Sequence, residues 1–150
     1  AVGGDRVGNC QRLVNKQQAE ATARALAGSA QRWNRIADTE DDKALGLILT
    51  QYLSREHGKR RAGGCAVPSL AGEAARHGGA VQSAFTRGIS ALVDVLSRLV
   101  PGRTRAARRK HALASFSAMV GAVMLARAVD DDALAEEILG AVRRTVTQAG

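Results

Sequence analysis

Residues 112–129 read ALASFSAMVGAVMLARAV, from Ala112 to Val129. Arg127 is the one charged residue in the stretch and it holds no proline, so nothing in it stops a helix. Apolar or small side chains fall on nearly every face of that helix. A helix apolar all round must be covered all round, and the other helices of a short chain do not suffice, so a partner subunit is expected. The longest run without a charge, His111 to Ala126, is short for a bilayer span and carries Ser115, Ser117 and Gly121. A helix buried in protein is therefore expected rather than a transmembrane segment.

Working outward, the helix starts near Thr104, just after Pro101-Gly102 close a preceding one over about 80–99. That preceding helix sets Val81, Phe85, Ile89, Leu92, Val93, Leu96 and Leu99 on one side. On the other flank, Asp130-Asp131-Asp132 breaks the chain and recaps it. Leu134, Ile138, Leu139, Val142 and Val146 then form the apolar face of a final helix, with Glu136 and Glu137 in its first turns. Further upstream, Leu45, Ile48, Leu49 and Tyr52 repeat at i, i+3, i+4 and i+7, marking a helix that Thr39 or Asp41 caps and that ends near Glu56. Residues 57–64 read as an exposed loop. Pro68 and Ser69 open a short helix that Gly78-Gly79 stops after about Arg76. Residues 9–37 carry a weaker stripe of Leu13, Ala19, Ala23, Leu26, Ala30 and Trp33, while Gly3, Gly4 and Gly8 make residues 1–8 a loop. The expected fold is all-α, about six helices around one core, a size of core that 150 residues can supply.

The formal net charge is +8 and the pI about 10.7, which raises nucleic acid as a partner. The basic residues are dispersed, however, with two clusters, Lys59-Arg60-Arg61 and Arg103, Arg105, Arg108, Arg109, Lys110. Both fall in or beside connections between helices, where a solvated surface is the simpler reading and a polyanion contact the alternative. Cys10 and Cys65 stand far apart in neither a CxxC pair nor a metal-spaced set, and no basic-then-apolar leader is present, so a reduced, cytoplasmic protein is expected. His57, His77 and His111 have no second ligand at helical spacing, so no metal or other cofactor is expected. Cys65, near Lys59 to Arg61, is either a thiol sensor or, more simply, a small buried hydrophobe. There is no nucleophile elbow, triad spacing, GxGxxG or Walker loop, and the carboxylates cluster where helices start. The chain is not read as an enzyme.

Several ordered segments resemble the C-terminal regulatory domain of TetR-type bacterial transcriptional repressors. Gly64-Cys65-Ala66-Val67-Pro68, then Leu70, Glu73 and Arg76, then Val81, Phe85 and Gly88, resembles that family's Gly-Cys-Pro-type loop, short helix and long helix. Val120 to Asp131, continuing into Leu134 to Leu139, is similar to its penultimate helix, turn and last helix, although Asp132 stands where the family often has proline. With Ala44 to Leu53, the likeness covers roughly residues 36–146. The family's helix-turn-helix domain has no counterpart in this sequence. Gly3-Gly4-Asp5-Arg6-Val7 faintly resembles the turn that closes that domain, so residues 1–8 are expected to be a residual linker and 9–150 the ligand-binding and dimerisation domain.

The resemblance implies a homodimer built from the last two helices of each subunit. Ala114, Ser117, Ala118, Gly121, Ala122, Leu125, Leu134, Ile138 and Val142 are the positions that meet that need, with Met119 and Val123 adding bulk. It also implies an effector cavity in the bundle. Amphipathicity nominates Trp33, Leu49, Tyr52, Leu53, Phe85, Ile89, Leu92, Phe116 and Met119 as its lining, against the plain alternative that such a stripe is core. The expected function is that of an effector-sensing and dimerising domain, in which a small apolar or amphipathic molecule alters the DNA affinity of the intact repressor. The alternatives are a helical dimerisation module with a packed core and no ligand, and a non-specific nucleic-acid binder. A cavity above about 300 Å³ separates the first from the second.

Overall fold

In the computed structural model the described residues are 4–59 and 66–148, with side chains from Gly8 to His57 and from Ala66 to Gln148. Within them every regular element is helical: α1 (Gly4–Thr39), a 3-10 turn (Asp41–Lys43), α2 (Ala44–Tyr52), α3 (Arg55–Lys59), α4 (Val67–His77), α5 (Gly79–Leu99), α6 (Arg105–Ala128) and α7 (Asp132–Gln148). The fold is an all-α bundle.

α1 is 36 residues, about 54 Å, long. It lies along α5, burying Thr22, Leu26, Ser29, Ala30 and Trp33, a stripe at helical spacing. The two helices run in the same direction, because Leu26 meets Gly88 while Asn34 and Asp38 meet Arg98 eight to twelve residues further on: Arg98 donates to Asn34 Oδ1 at 2.5 Å and its other nitrogen lies 3.5 Å from Asp38 Oδ1. The loop expected over residues 1–8 is helical from Gly4. Each glycine costs about 1 kcal/mol in a helix interior, but adding a turn to a helix already nucleated by its packed part avoids the costly first turn.

The helix expected up to Glu56 stops at Tyr52, where Leu53 leaves helical geometry, and α3 restarts it with the Ser54 hydroxyl accepting from the His57 amide at 3.1 Å. Neither Thr39 nor Asp41 serves as the expected cap. Thr39 ends α1 with its hydroxyl donating back to the Arg35 carbonyl at 2.8 Å, and no side chain caps the 3-10 turn or α2. Two other starts are capped by side chains: Thr104 accepts from the Ala107 amide at 3.1 Å, and Asp131 accepts from the Ala133 and Leu134 amides at 2.8 and 3.1 Å. Between α4 and α5 the chain turns through Gly78 and Gly79 at φ +61° and +51°, which glycine adopts without penalty.

α6 packs against α3, α4, α5 and α7. Its buried residues, Ala112, Ser115, Phe116, Met119, Ala122 and Val123, follow i, i+3, i+4, i+7, i+10 and i+11, one face of the helix. Arg127 fastens its far end, donating to the His57 carbonyl at 3.2 Å and the Ser69 hydroxyl at 3.3 Å. α7 is held at its start by Arg55, which pairs with the Asp132 carboxylate and donates to its carbonyl at 2.8 Å.

Candidate functional site

The nine residues nominated as a pocket lining come together in one hydrophobic core. Leu49, Tyr52, Leu53, Leu92, Phe116, Met119 and Trp33 are buried, while Phe85 and Ile89 are half-buried against them. Trp33 is the centre of an aromatic group, its ring edge-on to Tyr52 at 5.7 Å and to Phe116 at 5.9 Å between centroids. Tyr52 in turn lies 4.7 Å from the His57 ring.

Among the hollows of the described residues, one of about 580 Å³ is an open groove between the first half of α1 and the α4–α5 corner, with Arg12, Lys16, Glu20, His77, Ser83 and Arg87 in its walls. A second, about 280 Å³, lies between α5 and α6 and is lined by Phe85, Thr86, Ile89, Ser90, Val93, Arg109 and Leu113. The third is a crevice of about 50 Å³ over Ser29, Arg32, Trp33, Gln51, Tyr52 and His57. The nominated residues therefore divide. Phe85 and Ile89 line the second hollow and Trp33 and Tyr52 the third, whereas Leu49, Leu53, Leu92, Phe116 and Met119 line none of the three. An apolar stripe at helical spacing does not distinguish a cavity wall from a filled core, and these five side chains are buried in the core cluster. The groove at the α4–α5 corner lies outside the nominations, because its apolar wall is made by Ala19, Ala23, Ala80 and two glycines rather than by a stripe of large apolar side chains.

The face nominated on the last two helices is largely open. Ala114, Ser117, Ala118, Leu125 and Leu134 are exposed, and Gly121, Ile138 and Val142 are half-buried. Leu113 and Met124, not among the nominations, join this surface as exposed apolar side chains. Ala122 departs from the expectation. It is buried with Met119 and Val123 on the inward stripe, since one residue past Gly121 turns about 100° around the helix. A Cβ built on Gly121 would meet nothing within 4 Å, so no neighbour among the described residues uses the space that this glycine leaves. The helix expected to be covered on all sides is covered on one.

Counted from Arg105 to Ala128, α6 is also long and apolar enough to cross a membrane by length and composition, a third of its apolar window being buried. The charge-free run used to judge its length, 111–126, understates the helix. On its inward face it packs against four other helices of the chain.

Several of the charged groups are engaged at the surface. Arg109 pairs with Asp94 at 2.8 Å and Arg108 donates to the Gly102 carbonyl at 3.0 Å, so two members of the 103–110 run hold the α5–α6 connection. Arg76 and then His77, whose Nε2 lies 3.1 Å from Oε2, hold the Glu73 carboxyl below its ordinary range. The three histidines sit in different surroundings: His57 on Tyr52, His77 on Glu73, and His111 with Nδ1 3.2 Å from the Pro101 carbonyl. Cys10 is exposed on α1, and the Cys65 and Arg60-Arg61 readings fall outside the described residues.

Fold and surface together define a helical bundle whose penultimate helix leaves an apolar flank uncovered. No protein-family model matches the chain, and no curated protein matches it.

Proposed function

We propose that this chain is the dimerising, effector-sensing domain of a TetR-type transcriptional regulator, working in the cytoplasm and pairing with a second copy through α6 and α7. The observation that carries this reading is the uncovered flank. Leu113, Met124, Leu125 and Leu134 are 44%, 46%, 57% and 42% exposed, with Ala114, Ser117, Ala118 and Gly121 between the α6 members. Complete burial of one large apolar side chain is worth about 1.5–3 kcal/mol, so covering the exposed part of these four on both copies returns roughly 6–11 kcal/mol. Association costs about 4–15 kcal/mol, so the large side chains alone meet the lower part of it. The small residues must supply the rest by letting the α6 backbones approach closely and gain dispersion contacts. In a regulator of this type, a shift in how the two subunits are set against each other changes the spacing of the DNA-reading helices, and so the affinity for an operator.

Sedimentation velocity tests the dimer. The chain is expected to sediment as a dimer, and Leu125→Glu to sediment as a monomer of unchanged helix content. A wild-type monomer at the highest attainable concentration would overturn the reading.

A second reading, a dimerisation module with no ligand, is favoured by a specific observation: Leu49, Leu53, Leu92, Phe116 and Met119 line none of the three hollows. Trp33, the single tryptophan, sits at the centre of the aromatic group and reports on it. Its fluorescence is to be titrated with amphipathic cations and anions. A saturable change supports the sensor, and a flat response across the set leaves the packed module.

A further inference from the structure

The groove between α1 and the α4–α5 corner, at about 580 Å³, is the size of a small-molecule site. It arises from topology. α1 runs alongside α5 in the same direction but starts well before it, so the first half of α1 overhangs the corner where α4 ends and α5 begins. Gly78 and Gly79 make that corner without side chains, and a Cβ at either would meet nothing within 4 Å, so the mouth stays open.

Charge is uneven in this groove. Arg12 and Lys16, one turn apart on α1, face Arg87 on α5 across it, and Glu20 is the one carboxylate in its walls. Lys16 and Arg87 make no ion pair or hydrogen bond with any described residue, in contrast to Arg55, Arg76, Arg98 and Arg109, which are each paired with a carboxylate. Among the described residues Arg12 bonds only the Gly8 carbonyl and Asn9 Oδ1 at 3.3 Å, both neutral. His77 is engaged by Glu73. Three exposed cations against one carboxylate, held on two helices by backbone rather than by partners, leave a local excess of positive charge that attracts anions. Ser83 supplies a neutral hydroxyl among them.

From this we infer that the groove binds a small polyanion, a molecule carrying two or more carboxylate or phosphate groups, between Arg12 and Lys16 on one side and Arg87 on the other. The site is distinct from the α6–α7 flank, and it stands whether or not the chain dimerises.

Calorimetric titration of the full chain at physiological ionic strength with citrate and with inorganic pyrophosphate tests it. One saturable site is expected for at least one of the two, weakened about 10-fold or more by Arg87→Gln and by Lys16→Glu, the usual value of one charge-assisted hydrogen bond. Arg105→Glu, in the separate basic run at the start of α6, is expected to leave it within twofold, about the scatter that a distant charge contributes at a screened surface. Circular dichroism confirms that each variant keeps its helices, and Arg87→Lys, which retains the charge, restores part of the binding. The absence of saturable heat from both probes overturns the proposal. Equal weakening by Arg105→Glu also overturns it, because the overall positive field then explains the binding. So does tighter, steeply salt-dependent binding of duplex DNA that citrate does not displace, which assigns the surface to nucleic acid.

Discussion

Gly88 and Gly121 each stand inside a long helix, and the chain uses them in opposite ways. At Gly88, α5 meets α1 so closely that a Cβ would lie 2.5 Å from Leu26 Cβ and 2.9 Å from its Cγ. At Gly121, on α6, a Cβ would touch nothing. Both residues give up about 1 kcal/mol of helix propensity relative to alanine. For Gly88 that cost is offset within the chain by a close helix crossing. For Gly121 no offset exists among the described residues, and a second copy crossing there is the proposed account. The difference teaches that a small residue in a helix has to be judged by what lies over it.

Each of the following experiments breaks or sharpens this contrast, and the largest effect belongs to the closed seam. Trp33→Ala removes the ring that packs edge-on against both Tyr52 and Phe116. It is expected to cost about 3–5 kcal/mol in urea denaturation. A cost below that of an ordinary surface change would show that the aromatic centre is loosely packed and would favour a ligand-accessible interior. Next, Gly88→Ala forces a methyl group into Leu26 near its own Cβ, which a rotamer change does not relieve. An overpacking loss of about 1–3 kcal/mol is expected, and a gain instead would mean that the crossing is not close. Third, Gly121→Ala is expected to raise the stability of the single chain by about 1 kcal/mol, the propensity difference, while weakening the dimer in sedimentation. If both quantities rise, the α6 helices do not cross at Gly121.

The smallest effect lies away from both glycines, at Glu73. Its folded-state carboxyl is held below the ordinary value by Arg76 and His77, so its contribution is present above the unfolded-state pKa and is lost as pH falls through the lowered one. Wild type is therefore expected to lose slightly more stability than Glu73→Gln as pH falls from neutral into that acidic window, read as the difference in urea midpoint. The side chain is about half exposed to solvent, so the difference is small.

Much of the architecture was legible in residue order. The apolar periods of 81–99 and 134–146, the Pro101-Gly102 break and the Asp130 to Asp132 recap correspond to α5, α7 and the turns around α6, because stripe and breaker chemistry act locally. The start of α1 was not legible. Gly4 and Gly8 argue locally against a helix, and the packed remainder of α1 outweighs them. The split at Leu53 was hidden as well, since Leu53 and Ser54 continue an acceptable helical pattern, and the chain bends there with Leu53 in the core.

For the candidate sites the division is sharper. Leu125 and Leu134 on the flank could be named from composition, but Ala122 could not be separated from Gly121, because both are small and only the direction of each side chain tells them apart. The groove at Arg12, Lys16 and Arg87 was invisible, since those cations lie some seventy positions apart in the chain and meet through the parallel course of α1 and α5. What the sequence determined by itself was the helical class, most helix boundaries and the excess of apolar surface on α6, all properties set by neighbours three or four residues away. Which face of α6 turns inward, which glycine is pressed and which is open, and where unpaired charge gathers were decided only by tertiary packing. Those depend on contacts between distant segments, whose geometry no local period encodes.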